Sequence, residues 1–119
     1  MCCIGRAARM HQILLSTRRF GVNILSAGQE QSARYFAGRD RPQGVEHFRQ
    51  VDWFPGNRLD VPLLVGSLAW MECEVTEVYD AGDHSIFLGA VLDAVRNPGE
   101  ALLSFGDGFH QGMPAPRGG

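Results

Sequence analysis

His84 stands directly behind Gly82-Asp83, a pair that reads as a tight turn opening a strand. The turn exposes the imidazole at the strand start, and a surface turn histidine capped by Asp83 would look the same. Arg6 and Arg9 flank the start of a helical stretch, where backbone N–H groups and guanidinium forks together suit a phosphate. Solvated helix arginines would look the same. All eleven basic residues are Arg, with no Lys, so every cationic contact is a planar fork; coding bias is the simpler account of that composition. Cys2, Cys3 and Cys73 form no CxxC pair, and together with four scattered His they do not space out a zinc site. No metal is expected, and the thiols read as reduced.

The elements that must position these groups follow from periodicity. Residues 1–5 resemble the tail of a buried strand. Residues 6–18 follow a helical period with Met10, Ile13, Leu14 and Thr17 on one face and Arg18 and Arg19 in the last turn, where cations suit the helix dipole. Phe20 to Leu25 alternates as a strand, with Phe20, Val22 and Ile24 facing one way. Residues 28–37 predict a second short helix that ends at Gly38, the residue expected in the left-handed C-cap position. From Arg39 to Pro62 the pattern breaks around Pro42, Gly44, Pro55, Gly56 and Pro62. This predicts a long ordered excursion anchored by Phe48, Trp53 and Phe54.

Residues 67–79 alternate cleanly, which places Ala69, Met71, Cys73 and Val75 toward the core and Glu72, Glu74 and Thr76 toward water. Residues 84–94 predict the partner strand of an antiparallel hairpin. Asn97-Pro98-Gly99 reads as a turn, Ala101–Phe105 as a last short strand, and the closing GMPAPRGG as a disordered tail. Strands with one or two helices and no βαβ alternation predict a mainly β fold with short helices, of β-barrel type. The 119 residues make one domain, taken as residues 1–110 with a tail at 111–119. A net charge of −2 argues against a general nucleic-acid binder, and no apolar run is long enough to cross a membrane. With no apolar leader in MCCIGRAARM, the expected location is cytoplasmic.

Three blocks carry a resemblance. RRFGVNILSAGQEQSARYFAGRDR, VDWFPG and VPLLVGSLAWMECEVTEVYDAGDHSIFLGAVLDA keep order and spacing from about residue 2 to residue 105. Together they resemble the flavin reductase-like domain family, above all the small reductase component of two-component flavin-dependent monooxygenases. The resemblance implies an FMN-binding split β-barrel, here incomplete at its N-terminus because the family carries further strands there. It implies an NAD(P)H-dependent flavin oxidoreductase that binds FMN or FAD and moves hydride from NADH or NADPH to the flavin. It also implies a homodimer and a flavin-dependent monooxygenase as acceptor of reduced flavin. A non-catalytic flavin-binding module, or an inactive fragment of the family, is the alternative.

The resemblance also assigns residues. His84 becomes the catalytic candidate beside the nicotinamide and flavin, with Asp83 shaping its turn. Phe36, Ala37 and Gly38 match the family's FAG near the flavin, and Arg39 or Arg41 is in range of a phosphate. The strand-to-helix turn is Gly5-Arg6-Ala7-Ala8-Arg9-Met10, where Ala8 and Met10 replace hydroxyl residues that contact flavin phosphate, so Arg6, Ala8 and Arg9 remain as cofactor-binding candidates with weaker affinity. Trp70 is a candidate for a subunit interface. Phe105, Phe109 and His110 fall where the family places aromatic and basic groups near the nicotinamide.

Overall fold

The computed structural model describes residues 1–38, 48–49, 51–106 and 108–111. The expectations on Arg39, Arg41, Pro42, Gly44 and the tail from 112 onward lie outside the described residues. In chain order the elements are β1 (Cys2–Gly5), α1 (Arg9–Thr17), β2 (Arg19–Ile24), a 3₁₀ turn (Ala27–Gln29) and α2 (Glu30–Ala37). They are followed by β3 (Trp53–Pro55), β4 (Pro62–Leu64), β5 (Ala69–Ala81), β6 (His84–Arg96), β7 (Leu102–Phe105) and β8 (Gly108–Gln111). The fold is mainly β with short helices, an open, curled sheet of the split-barrel kind. No helix among the described residues is long and apolar enough to cross a membrane.

The frame is one antiparallel sheet in the order β1-β6-β5-β2. β5 and β6 form its long hairpin, closed by the two residues Gly82 and Asp83. Gly82 has φ +68°, a value at which L side chains are strained, so the tight turn requires glycine there. Two bulges, between Glu72 and Cys73 and between Val75 and Glu77, bend the hairpin.

On one face of the sheet α1 docks. Leu14, Val75 and Phe87 are buried together, with Cys2, Ile4, Phe20 and Val78 packed around them. Phe87 has no exposed surface, and its full burial contributes about 2–3 kcal/mol. Gly89 lets this layer close, since a Cβ there would sit 2.8 Å from Cζ of Phe20. The inward face of α1 is not the one expected. Met10 and Ile13 are 51% and 54% exposed, and it is His11 and Leu14 that point at the sheet. Nor do Arg18 and Arg19 lie in the helix. Arg18 takes the left-handed C-cap conformation, φ 61°, and Arg19 begins β2.

On the other face lies the β3–β4 hairpin, which the broken pattern of 39–62 did not reveal. Asn23 of β2 joins it as an added strand would: Leu64 N–H donates to Asn23 Oδ1 (2.8 Å) and Asn23 Nδ2 donates to the Pro62 carbonyl (3.3 Å). Glu72, expected in water, is 3% exposed. Its carboxylate accepts backbone N–H bonds from Arg58 (3.1 Å) and Leu59 (2.9 Å). A Cβ on Gly56 would overlap that carboxylate, so glycine is required for the loop to wrap it. Both faces of β5 are therefore covered here, and alternation ceases to mean one wet face.

The aromatic anchors behave as expected. Phe54 meets Trp70 edge-on with ring centroids 5.1 Å apart, and Phe48 contacts Trp53 at 5.5 Å. Gly38 ends α2 in extended conformation, φ −71°, rather than left-handed. Its N–H reaches the Arg34 and Tyr35 carbonyls directly, which satisfies the last turn without a positive φ. A short β7–β8 hairpin closes the described chain, and β8 carries no periodicity that would have announced it.

Candidate functional site

β1 runs beside β6, and its register pairs Gly5 with His84. The chain then leaves the sheet through residues 6–8 and enters α1. Arg6 N–H donates to the Asp83 carbonyl at 2.9 Å, and Ala8 N–H returns to the Gly5 carbonyl at 3.0 Å. Arg6, Ala8, Arg9, Asp83 and His84 thus share one corner, built from the β1–α1 turn and the tip of the β5–β6 hairpin.

Within it, Asp83 Oδ1 lies 2.8 Å from His84 Nδ1. A carboxylate can only accept, so the proton sits on Nδ1 and Nε2 is left to act toward a ligand. The hydrogen bond from His84, reinforced by its charge, holds the Asp83 carboxyl below its ordinary value, so Asp83 stays anionic as the orienting partner. The His84 side chain is half-exposed. Gly5 offers no side chain against the ring: even a Cβ would stop 3.7 Å from Nε2.

The first turn of α1 has no side-chain cap and no acidic residue. His11 N–H turns back to the Ala8 carbonyl at 3.1 Å, which leaves the Arg9 and Met10 N–H groups and the partial positive charge of the helix end to face outward, with the Arg9 side chain beside them. Arg6 differs, because its guanidinium forms an ion pair with Asp80. That pairing leaves it less available to an anion than Arg9. Asp80 escaped the sequence reading, although it lies two residues before the turn, where a side chain can reach β1.

His11 and Ser85 also escaped it. His11 Nε2 and Ser85 Oγ share a hydrogen bond of 2.8 Å, and the His11 ring meets Phe87 edge-on at 5.4 Å. The available signal was His11 standing three residues before Leu14, on the same helical face.

The structure does not bring Phe36, Ala37 and Gly38 to this corner. α2 follows β2, whose last residue, Ile24, pairs with Ala69, the opposite end of β5 from Ala81. Phe36 instead packs against Phe48 (5.9 Å), and Phe48 against Trp53. The 13 residues of β5 run between that pairing and the hairpin tip. Trp70, a candidate for a subunit interface, has its partners within the chain: its indole N–H donates to the Leu64 carbonyl at 2.7 Å. Phe105 and His110 form an exposed edge-on pair, and Arg34 lies over the Phe109 ring at 5.1 Å. The three cysteines are free, and burial pushes the Cys2 and Cys73 thiols up, away from reactive thiolate. Among the described residues no three metal-ligating side chains cluster.

The flavin reductase like domain matches residues 1–113. The chain belongs to that family. It is 44% identical over 115 residues to an NADH-dependent FAD reductase of Streptomyces globisporus, covering 96% of this chain and 63% of that protein. It is 34% identical over 118 residues to the 4-hydroxyphenylacetate 3-monooxygenase reductase component of Pseudomonas aeruginosa, covering 98% and 68%. A solved structure, the flavin reductase component of a bacterial two-component tryptophan halogenase, superposes with a TM-score of 0.86 at 40% identity over 94% of this chain and 71% of that one. The chain thus spans between three-fifths and three-quarters of the length of these relatives.

Proposed function

We propose that the chain is the body of an NAD(P)H-dependent flavin reductase and that its reaction takes place at the His84 corner. The observation that carries this reading is the meeting of an uncapped helix N-terminus with an oriented, half-exposed imidazole at one place in the fold. The residues fit a flavin phosphate: the α1 N–H groups and Arg9 supply donors and positive charge with no carboxylate in that first turn. The loss of hydroxyls at Ala8 and Met10 and the engagement of Arg6 by Asp80 support weaker binding than a hydroxyl-lined turn would give.

Flavin, when bound, supplies the hydride acceptor and the reduced nicotinamide supplies the hydride, so no acid–base triad is required of the protein. The chain's own contribution is orientation. Asp83 fixes the His84 ring, and Nε2 is presented to the ligand side as an acceptor, or as a donor once protonated. The first turn of α1, with Arg9, would hold a flavin phosphate. Whether FMN or FAD and NADH or NADPH is used depends on groups beyond this corner.

A homodimer completes the reading. Phe36 and its neighbours follow β2, which pairs with the end of β5 away from the hairpin tip, and a second copy would bring them to a cofactor at that corner. The reduced product would serve a flavin-dependent monooxygenase; among the similar proteins, one is the reductase component of 4-hydroxyphenylacetate 3-monooxygenase and another the flavin reductase component of a two-component tryptophan halogenase. The test is a titration of FMN and FAD followed by flavin fluorescence, with sedimentation to read the oligomer. Saturable quenching that weakens about tenfold in Arg9→Ala is the expected result. Quenching unaffected by Arg9→Ala would remove the phosphate from α1.

A further inference from the structure

We infer that His11 is a positioning residue for the reaction at His84, a role that rests on the reductase reading of that corner. His11 never faces the ligand side. It lies on the inner face of α1, one turn ahead of Leu14, and its ring is held between Ser85 and Phe87. Ser85 is 5% exposed and is the chain neighbour of His84, so along β6 the one side chain points in and the other out. The hydrogen bond from α1 therefore ends one residue from the imidazole that meets the ligand.

Three contacts hold α1 against the sheet: at its C-cap Val75 N–H donates to the Arg18 carbonyl at 2.8 Å, which ties that end, and two more act along its inner face. Leu14 enters the core with Val75 and Phe87. Apolar burial is non-directional and leaves a short helix free to roll about its own axis. The 2.8 Å bond between His11 and Ser85 is directional and sets that roll. The roll matters at the first turn of α1, which has no side-chain cap to fix it. On the other side of the corner, Gly5 pairs with His84, Arg6 N–H donates to the Asp83 carbonyl, and the Arg6 guanidinium pairs with Asp80. The β1 ladder and the His11–Ser85 bond together close a loop of contacts around residues 6–8. The phosphate-binding end of α1 and the His84 ring then move as one body. Without His11 only one side of that loop remains, and the distance between the two ligand-binding points is no longer fixed.

The consequence is a signature in which kcat falls more than flavin affinity, because α1 still offers its N–H groups but no longer at the reacting geometry. The variants are His11→Leu, which keeps apolar bulk, His11→Gln, whose amide reaches Ser85 as the imidazole does, and Ser85→Ala. Ile13→Ala, on the exposed face of α1, is the control. NADH oxidation with FMN gives kcat and KM, and flavin fluorescence titration gives binding independently of turnover. The expected result is a fall in kcat of about tenfold in His11→Leu and in Ser85→Ala. The double variant should be no worse than either, flavin binding should change less than about threefold, and His11→Gln should restore most of kcat. Equal kcat in His11→Leu and the unaltered chain would overturn the inference, as would losses in the two single variants that multiply in the double. An unaltered chain that binds no flavin and oxidises no NADH would remove the reductase reading itself, and the inference with it.

Discussion

The buried carboxylate of Glu72 is the sharpest point at which the fold can be tested, since a strand glutamate on an alternating pattern belongs in water. Its Oε1 accepts from both Arg58 N–H (3.1 Å) and Leu59 N–H (2.9 Å), whereas Oε2 has one longer contact with Arg58 at 3.4 Å. Truncation in Glu72→Ala strands two backbone donors under the β3–β4 loop. Each such loss costs about 1–3 kcal/mol, while the desolvation of the charge is relieved. The net expectation is a destabilisation of about 2–4 kcal/mol. Glu72→Gln keeps an oxygen where Oε1 stands, so both bonds survive without charge assistance and the cost falls to about 1 kcal/mol. Urea unfolding at constant m measures the difference, and hydrogen exchange at the Arg58 and Leu59 amides locates it. If alanine cost under about 1 kcal/mol, or glutamine as much as alanine, the assignment of Oε1 as the loop's anchor would be wrong.

Asn23 and Asp83 give two further expected outcomes. Asn23→Ala removes both bonds to β4 and should cost about 1–3 kcal/mol, with exchange at Leu64 N–H rising before that of the main sheet. Uniform exchange would show that β4 does not depend on Asn23. Asp83 has its carboxyl held below the ordinary value by His84, so its stabilisation is fully present above that value and is lost as pH falls through the depressed one. Thermal melts between about pH 2 and pH 5 should therefore show a shallower acid limb in Asp83→Asn; superimposable limbs would contradict the pairing.

Much of the frame was legible because local signals agreed there. Phe20, Cys73, Val75 and Phe87 alternate, and Gly82-Asp83 supplies the turn that a two-residue hairpin demands. His84 could be placed at a strand start for the same reason. What was illegible depends on contacts between distant parts of the chain. Glu72 is buried by a loop thirteen to fourteen residues earlier, and alternation in β5 carries no trace of that. Met10 and Ile13 promised the inner face of α1, but a nine-residue helix laid on the sheet face buries only a narrow stripe, and His11 took the place beside Leu14 because Ser85 could satisfy it. The FAG stretch was matched by resemblance to the same site as His84. The register of β2 on β5 puts the end of β2, from which the chain leads into that stretch, at the far end of the hairpin, a placement that no local pattern encodes.

The central claim, that the His84 corner carries flavin reduction, is tested most directly by following NADH absorbance in the presence of FMN, with a protein-free control and the His84→Ala chain beside it. The account predicts oxidation well above the control, reduced by about tenfold or more in His84→Ala with an unchanged melting transition. Turnover identical in the two chains, or absent from both with no quenching of flavin fluorescence, would contradict it.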